Sequence, residues 1–449
     1  MKYRLLCAAV AAFILVGCAH HAPDVASANG LISSTSATAA GENRAHFDTA
    51  IGLLQAQYYK PINDKQIVTF ERKTLLEYLR YAKVHAPIIS EAPSTDPTVT
   101  ALLAQLHDAE HRYARPTGPL SDTILSEVAL SGIMSAQGDP YTVYLPKRDY
   151  SGLQEMLQGG NFSGIGVYIY ALKDGDVLLQ PIEGMPASKA GMNPVEIVTK
   201  VDGVSVHKKP LDSVMRMIRG PVGSTVKMQT HTVEKPIRTH NYTITREIIH
   251  VPTVMTRQIG KYRYIRLIDF GTTSAAEVRK ALLAGVADHA KGYILDLRNN
   301  GGGLVDAAVH ISSDFIPEGT IVSTVYRNGH SEVQEADGKA IGGLSPLVVL
   351  VNKYSASASE ITTGALQDDK RAMVIGTKTF GKGVVQQIFP FDDGSAVKIT
   401  VARYLTPKGR SIQHKGLIPD MIVPQDPLIP LGAPDDKQLQ AAITWLNAH

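Results

Sequence analysis

The sequence predicts an α/β multidomain protein with a helical N-terminal region, a small β-rich domain and a C-terminal α/β core. Three observations carry this prediction. Apolar residues recur at helical spacing between residues 47 and 134, short β-type runs follow from residue 159, and strands alternate with helices between residues 260 and 425. The chain has 449 residues, which is long enough for two or three domains. The expected segments are 1–17, 18–41, 42–150, 151–250 and 251–449.

The N-terminus is typical of a bacterial lipoprotein signal peptide. Lys2 and Arg4 precede an apolar stretch, Leu5 to Val16, that is too short to span a bilayer. The stretch ends in Leu-Val-Gly-Cys, which resembles a lipobox, in which Cys18 is lipidated and becomes the first mature residue. An ordinary secretory signal with an incidental cysteine is the alternative. Cleavage before Cys18 would leave a single cysteine, so no intrachain disulfide could form. Because Ala19 rather than an acidic residue follows the cysteine, the lipoprotein is expected in the outer membrane if the cell is Gram-negative.

A tether and a helical region are expected next. Residues 18–41 are rich in Ala, Ser and Thr, a composition typical of a flexible tether. Apolar residues such as Phe47, Ile51 and Leu54 then follow helical spacing, and a proline-rich break from 85 to 97 divides the helices. Periodicity alone assigns this region no function.

The β-rich domain carries a series of motifs that resembles a PDZ domain. Gly164-Ile165-Gly166 stands before a strand, PASKAG opens a helix, VTKVDG forms a strand and turn, and GPVGSTV follows a helix expected at Leu211–Ile218. The resemblance implies that backbone amides of Gly164, Ile165 and Gly166 bind the C-terminal carboxylate of a peptide, which adds as a strand. Val195-Glu196 stands where the family has Gly-Asp. The local backbone is therefore expected to differ.

The C-terminal region alternates strands with helices, which predicts an α/β core. Strands are expected at 262–267, 293–297, 347–352, 373–375 and 397–401. Helices are expected at 275–286, 305–315, 359–368 and 437–448. A glycine-rich loop follows the second of these strands.

A serine-rich turn, Tyr354 to Glu360, lies between the buried strand at 347–352 and the helix that follows it. The start of a helix presents unpaired N–H groups and a partial positive charge, so an oxyanion can form there. Serine also caps helices. The Ser-Ala-Ser pattern alone does not separate a nucleophile from a cap.

The candidate base for a serine nucleophile is Lys382. A serine hydroxyl attacks efficiently only when a base removes its proton. Three histidines, His310, His330 and His414, lie outside any glycine-rich or strand-end context and are expected to be surface or packing residues. Lys382 instead has glycine, aromatic and β-branched neighbours and no acidic residue close by in sequence. Burial in an apolar, carboxylate-poor pocket would lower the pKa of this lysine.

The stretch around Lys382 also invites a nucleotide-binding interpretation, which its residues disfavour. Residues 376–383 match most of a phosphate-binding loop, Gly-x4-Gly-Lys. However, Gly383 replaces the Ser or Thr that would hold Mg²⁺, and the VVQQI that follows is typical of a strand rather than a helix. A formal net charge of +3 without a long basic run gives no indication of nucleic-acid binding.

Five further motifs stand along the chain: GDPYTVYLPKRDYSGL, YILDLRNNGGGLVDAA, SASASEI, TFGKGVVQQ and DGSAVKITVARYLTPKGRSIQ. They resemble motifs of the carboxyl-terminal processing (tail-specific) proteases, secreted Ser–Lys peptidases with a PDZ domain. The resemblance covers about residues 120–449, with the motifs in family order. It implies a crotonase/ClpP-like protease core on which residues 120–150 pack.

The resemblance also implies the roles of individual residues. Ser357 would be the nucleophile and Lys382 the general base, held in line by Gln386. Backbone N–H groups of Gly303 and Ala358 would stabilise the oxyanion. No metal, nucleotide or other cofactor is implied. The other polar residues of the turn would cap, pack or support: Ser355, Ser359 and Glu360.

The expected function is that of a serine endopeptidase of the bacterial cell envelope, anchored by a lipid at Cys18. It would bind substrate C-termini through its PDZ domain and cleave nearby through an acyl-enzyme. Its partners would be proteins or peptides with exposed C-termini and the membrane that holds the anchor. Family members differ in oligomeric state and some need an adaptor lipoprotein, so homo-oligomerisation and an adaptor stay open. The alternative is a catalytically inactive lipidated PDZ scaffold, which Val195-Glu196 slightly favours.

Overall fold

The computed structural model describes residues 39–93, 98–157, 162–172, 175–182, 184–209, 211–233, 236–249, 253–341, 345–425, 429 and 431–449. The expected signal peptide, Cys18 and most of the expected tether lie outside the described residues. None of the helices that the structure describes has the length and apolar character needed to cross a membrane.

The N-terminal region is helical, as its periodicity predicts. Its described helices are α1 (Ala39–Gln57), α2 (Asp64–Tyr81), α3 (Thr98–Tyr113) and α4 (Asp122–Ser135). Asn63 caps α2 and Ser121 caps α4, each by accepting a hydrogen bond from a backbone N–H group of the first turn. The apolar faces form one hydrophobic core that also takes in residues of a later strand: Phe47, Leu54, Leu75, Leu102, Leu125, Ile133, Val397 and Ile399. The helical region therefore packs directly on the α/β core.

Two short elements connect the helices to the β-rich domain: β1 (Val143–Leu145) and α5 (Lys147–Leu157). The elements of the β-rich domain are β2 (Phe162–Gly164), β3 (Val167–Ala171), β4 (Val177–Pro181), α6 (Pro186–Lys189), β5 (Glu196–Val201), β6 (Val204–Ser205), α7 (Leu211–Ile218), β7 (Thr225–Thr232), β8 (Thr239–Thr245) and β9 (Glu247–Ile249).

The main sheet of the β-rich domain is antiparallel, with strand order β3-β4-β5-β7-β8 and β6 beside β5. Helix α7 has the bounds that the sequence predicts and packs on β3 and β5. Strand β3 lies at the edge of this sheet. The turn at Val195-Glu196 does not require a glycine, because neither residue has a positive φ and β5 begins directly at Glu196.

The C-terminal region contains every strand and helix that the sequence predicts, together with strands that it does not. Its elements are β10 (Val254–Ile259), β11 (Tyr262–Leu267), α8 (Ser274–Ala287), β12 (Tyr293–Asp296), α9 (Val305–Ser313), β13 (Thr320–Tyr326), β14 (Ser331–Glu335), β15 (Leu347–Val351), α10 (Ala358–Asp368), β16 (Met373–Gly376), β17 (Val384–Pro390), β18 (Ala396–Leu405), β19 (Met421–Ile422) and α11 (Lys437–Ala448).

Two sheets build this core. The first has the order β10-β11-β12-β15-β16-β19, in which β10 is antiparallel and the other strands run parallel. The second has the order β1-β18-β13-β14, with β17 also paired to β18, and is antiparallel. Because β12 and β15 are parallel neighbours, the loops that follow them emerge at the same sheet edge. These loops are the glycine-rich loop, residues 297–304, and the serine-rich turn.

Candidate active site

Ser357 lies at a sharp turn between β15 and α10. Its φ of 54° and ψ of −115° fall outside the regions that non-glycine residues ordinarily adopt. Such conformations persist only where the surrounding structure fixes them, and they concentrate at active sites. Ser357 is 7% exposed and occupies the N-cap of α10, directly before Ala358, whose N–H group begins the helix.

The neighbouring serines tie the turn to the glycine-rich loop. The Ser355 hydroxyl donates to the Leu297 carbonyl oxygen at 2.8 Å and accepts from the Asn352 N–H group at 2.9 Å. The Ser359 hydroxyl donates to the Asn300 carbonyl oxygen at 2.9 Å. Both side chains thus make structural hydrogen bonds, as expected for capping and packing residues.

Gly303 needs to be glycine for two reasons. Its φ is +148°, and a Cβ atom built there would lie 2.5 Å from the Phe270 carbonyl oxygen. The Phe270 N–H group donates to the Gly302 carbonyl oxygen at 3.0 Å, and the Leu304 N–H group donates to the Phe270 carbonyl oxygen at 2.8 Å. Within the described part of the chain, the N–H groups of Gly303 and Ala358 donate to no acceptor. Both are therefore available to a ligand oxygen.

Asn300 fixes the glycine-rich loop against the serine-rich turn. Its amide nitrogen donates to the Leu267 carbonyl oxygen at 2.9 Å, and its amide oxygen accepts from the Gly302 N–H group at 2.8 Å. Its carbonyl oxygen accepts from the Ala356 N–H group at 3.1 Å as well as from Ser359. Only one feature of the sequence indicates this role, namely that Asn300 stands directly before the glycines.

A buried ion-pair network holds the strand end that leads into the glycine-rich loop. The Arg298 guanidinium bonds the Asp296 carboxylate, with its Nη2 atom at 2.6 Å, and the Asp436 carboxylate, with its Nη2 atom at 2.7 Å. Asp436 is also the N-cap of α11. Burial alone would raise the pKa of Asp436, but the hydrogen bond and charge of Arg298 hold it below its ordinary value. The C-terminal helix is thereby fastened to the candidate active site.

Lys382 is almost completely buried, with 1% exposure, in the loop between β16 and β17. Its Nζ atom lies over the Tyr141 ring, 4.4 Å from the centroid. Burial, and secondarily the positive charge of Lys398, hold the pKa of Lys382 well below its ordinary value. The lowered pKa favours the neutral amine, which is the form that can accept a proton.

The prediction of a carboxylate-poor pocket around Lys382 is wrong. The charges of Asp139 and Glu360 both act on Lys382 and partly offset the effect of burial. Both residues are remote from Lys382 in sequence, and folding brings them to it. The low pKa therefore results from burial rather than from an absence of carboxylates.

Glu360 joins the turn of Ser357 to the loop of Lys382. It is 0% exposed, and its Oε2 atom accepts hydrogen bonds from the Ser357 N–H group at 3.0 Å and the Lys382 N–H group at 2.9 Å. Its Oε1 atom accepts from the Gly381 N–H group at 2.7 Å and the Thr379 hydroxyl at 2.5 Å. Burial raises the pKa of this carboxyl above its ordinary value, and the four hydrogen-bond donors offset only part of that effect. One oxygen atom thus binds the backbones of both candidate catalytic residues.

Tyr404 supplies a second link between the same two residues. Its hydroxyl contacts the Ser357 carbonyl oxygen at 3.1 Å and also the Lys382 carbonyl oxygen. Strand β18, which carries Tyr404, therefore supports the site from the second sheet. The sequence motif ARYLTPKGRSIQ contains this tyrosine but gives no indication of its contacts.

Gln386 lies on β17 and is buried, and its amide nitrogen donates to the Thr400 hydroxyl at 3.4 Å. Thr400 in turn donates its N–H group to the Thr142 hydroxyl at 3.1 Å. A direct contact between Gln386 and Lys382 stays a prediction. The strand that carries Gln386 is the one that the sequence predicts after residue 383, where a phosphate-binding loop would have a helix.

Comparison with known proteins assigns the family. A family model described as Peptidase family S41 matches residues 261–423. The carboxyl-terminal-processing protease of Synechocystis sp. is 38% identical over 339 residues, 73% of this chain and 78% of that protein. The chain belongs to peptidase family S41. A CtpA-like serine protease of Staphylococcus saprophyticus is 35% identical to this S41 protease over 336 residues, 72% of this chain and 67% of the relative.

Solved structures agree with this assignment. The photosystem II D1 C-terminal processing protease is similar to this chain, with a TM-score of 0.50 and 26% identity. The match covers 89% of this chain and 96% of the D1 processing protease. An S41 protease from Bacteroides fragilis matches with a TM-score of 0.51 and 16% identity, which shows a shared fold. The chain is thus a carboxyl-terminal-processing serine protease, as its motifs predict.

The β-rich domain of the S41 protease contains the loop expected to bind a carboxylate. Gly164 ends β2, and Ile165 and Gly166 lead into β3. The Ile165 carbonyl oxygen accepts from the Ala187 N–H group at 2.8 Å, and the Gly166 carbonyl oxygen accepts from the Ile182 N–H group at 2.9 Å. Among the described residues, the N–H groups of Ile165 and Gly166 have no acceptor. The loop therefore has two N–H groups to offer.

Proposed function

We propose that this S41 protease is an envelope endopeptidase that hydrolyses peptide bonds with a Ser357–Lys382 dyad and selects substrates by their C-termini. The observation that carries the dyad is the double link between the two residues. The Glu360 carboxylate binds both of their N–H groups, and the Tyr404 hydroxyl contacts both of their carbonyl oxygens. A buried lysine of lowered pKa is thereby held beside a serine in a strained turn.

Acylation uses the lysine first as a base and then as an acid. Ser357 Oγ bonds to the substrate carbonyl carbon while its proton passes to Lys382 Nζ. The carbonyl oxygen becomes an oxyanion, which the N–H groups of Gly303 and Ala358 stabilise. The C–N bond then breaks, and the Lys382 ammonium gives its proton to the leaving amine. Gln386 holds the lysine in line.

Deacylation repeats the same proton transfers with water. Lys382, neutral again, removes a proton from the water molecule that attacks the ester carbonyl carbon. The second tetrahedral intermediate collapses, and the proton returns from Lys382 to Ser357 Oγ. The products are the two peptide fragments and the free enzyme.

The β-rich domain would act as a PDZ domain. Strand β3 is an edge strand, so an extended peptide can pair with it, and α7 packs beside β3 to complete a groove. The N–H groups of Ile165 and Gly166, which have no acceptor among the described residues, would bind the terminal carboxylate of that peptide. Tyr168 and Tyr170, both exposed on β3, would contact its side chains.

The envelope location and the anchor rest on the N-terminal motif. A lipid on Cys18 and the following tether would keep the protease at the membrane, in the outer membrane if the cell is Gram-negative. Homo-oligomerisation and dependence on an adaptor lipoprotein stay open. Replacing Cys18 by Ser should abolish labelling by radioactive palmitate and release the protein from the membrane fraction; retention of the label would contradict the anchor.

The decisive experiment for the dyad is digestion of β-casein, an unstructured protein, followed by mass spectrometry. Wild-type enzyme should generate new peptides, and Ser357→Ala and Lys382→Ala should generate none while showing the wild-type circular dichroism spectrum. Undiminished cleavage by either variant would overturn the dyad. Absence of new peptides from the wild type as well would favour the inactive scaffold.

Recognition of C-termini has its own test. Two peptides of one sequence, one ending in a free carboxylate and one in an amide, should differ at least about 10-fold in kcat/KM, because the amide cannot receive the charge-assisted hydrogen bonds. Gly166→Ala should remove that difference, since a Cβ atom there would lie 2.3 Å from the Met185 Cβ atom at a φ of +70°. Equal cleavage of the two peptides by the wild type would contradict the proposal.

A further inference from the structure

The turn at residues 138–142 is held rigidly against the second sheet. The Asp139 carboxylate accepts from the Tyr141 N–H group at 3.0 Å and from the Thr142 hydroxyl at 2.9 Å. Thr142, which is fully buried, accepts in turn from the Thr400 N–H group of β18 at 3.1 Å. The backbone that carries the Tyr141 ring is therefore fixed on both sides.

The Tyr141 ring is the direct neighbour of the Lys382 amino group. The Nζ atom lies 4.4 Å from the ring centroid, within the range of a cation–π contact. Asp139 and Glu360 act on Lys382 through their charges alone, without an ion pair or hydrogen bond to Nζ among the described residues. The ring face thus lies next to this amine, where a surface lysine would have water or a carboxylate.

We propose that Tyr141 is a positioning residue for the general base: its ring face holds the Lys382 side chain in place and stabilises the ammonium that forms when Ser357 loses its proton. This role rests on the proposed Ser357–Lys382 dyad. Tyr141 belongs to the GDPYT turn, which is far in sequence from Ser357 and Lys382.

The physical reason lies in the proton transfer. During acylation a buried, neutral amine must become an ammonium without the solvent that would normally stabilise it. The negative face of an aromatic ring attracts a cation and is most effective when that cation is desolvated. The charged and titratable groups around Lys382 have opposing effects on its charged form. These groups are Lys398 and Tyr404 of β18, Asp139 and Tyr141 of the turn, and Glu360 of α10.

The test uses a graded weakening of the ring face in the full-length enzyme. Tyr141→Phe serves as the reference, and phenylalanines with one, two and three fluorine atoms are then placed at position 141. Fluorine withdraws charge from the ring face while the ring shape stays nearly the same. The measurement is the pH profile of kcat and kcat/KM on a fluorogenic peptide.

The expected result follows from the sign of the interaction. The ring favours the charged lysine, so weakening it lowers the pKa of Lys382, and the acid limb of kcat/KM moves stepwise to lower pH, by about one unit over the series. The limiting kcat should fall about 3- to 10-fold, because the forming ammonium is less stabilised. Tyr141→Phe should stay within about twofold of wild type. A non-aromatic Tyr141→Leu variant should lie beyond the end of the series.

Specific outcomes would overturn the role of Tyr141. A flat fluorination series, or a Tyr141→Phe variant as impaired as Tyr141→Leu, would show that the ring face is not what acts on the lysine. Loss of activity with an unmoved acid limb would show a packing role only. Lys382→Ala is measured alongside: if it keeps full activity, the dyad itself fails, whereas an inactive Lys382→Ala with a flat series contradicts Tyr141 alone.

Discussion

Two buried glutamates show how differently the α/β core and the β-rich domain are held together. Glu360 and Glu196 are both 0% exposed, and each carboxylate accepts four hydrogen bonds. Three of the four donors around Glu360 are backbone N–H groups. Around Glu196 all four are side chains: Asn193, Thr230, His240 and Tyr242.

The two sets of donors give the two glutamates different roles: Glu360 stabilises loops, and Glu196 stabilises a sheet. Because Glu360 binds backbone, it sets the path of the chain at Ser357 and Lys382, where the chemistry is proposed to occur. Glu196 instead joins side chains of β7 and β8 to β5 and leaves the backbone path to the sheet itself. We therefore expect mutations at Glu360 to affect catalysis most and mutations at Glu196 to affect stability most.

The largest effect is expected for Glu360→Gln. The amide keeps one acceptor oxygen, so at least one N–H group of the catalytic loops is left buried and unpaired, at a cost of about 1–3 kcal/mol per group. We expect kcat to fall at least about 100-fold because Ser357 and Lys382 lose their common anchor. Steady-state kinetics on a fluorogenic peptide measure this.

The matched control is Glu277→Gln in the first turn of α8. Glu277 accepts from the hydroxyls of Thr253 and Thr273 and binds neither catalytic loop, so its kcat should stay within about threefold of wild type. A Glu360→Gln enzyme as active as this control would show that the backbone anchor is dispensable.

A smaller and different effect is expected for Glu196→Gln. Amide hydrogen exchange in β5, β7 and β8 should accelerate about 10- to 100-fold, because the carboxylate contacts across these strands are weakened. Cleavage of a short peptide with an amidated C-terminus should not change. Glu247→Gln is the control in the same domain. The Glu247 side chain makes an exposed ion pair with Lys189 at 3.5 Å, so this substitution should have almost no effect.

The smallest expected effect is a pH dependence confined to the β-rich domain. Burial would raise the pKa of Glu196, but hydrogen bonds from Thr230, Asn193, His240 and Tyr242 hold it below its ordinary value of 4.5. A lowered folded-state pKa means that the carboxylate contributes stability above about pH 4.5 and loses it as the pH falls further. Exchange in β5, β7 and β8 should therefore accelerate between pH 5 and pH 3.5 after correction for the intrinsic rate, about severalfold. An equal acceleration in Glu196→Gln would contradict this assignment.

The helices of the core and its parallel strands β11, β12, β15 and β16 could be predicted from the sequence, whereas most of the second sheet could not. Long apolar strands and amphipathic helices follow their periodicities, so the helix at Lys437–Ala448 has its expected bounds. The hairpin of β13 and β14 is missed although Asn328-Gly329 at its turn is a strong hairpin signal. Strand β1 is also missed, because three residues are too few for a period and its pairing with β18 is long-range.

The candidate site could be predicted only in its motif residues. Lys382 stands out because a glycine-flanked lysine without acidic neighbours in sequence has recognisable local chemistry. Ser357 is singled out among the serines of its turn only by the family resemblance. Glu360, Asn300 and Tyr404 do not stand out, because their partners are backbone groups whose positions exist only after folding. The carboxylates near Lys382 were missed for the same reason, since Asp139 and Glu360 are distant in sequence.

The central claim, that Ser357 is the nucleophile and Lys382 its base, is tested most directly by locating the acyl-enzyme. The enzyme is mixed with an activated peptide ester, quenched with acid and mapped by mass spectrometry. An acyl adduct is expected on Ser357 alone, formed in the wild type and not detectably in Lys382→Ala. An adduct on Ser355 or Ser359, or equal acylation rates in the two proteins, would contradict it.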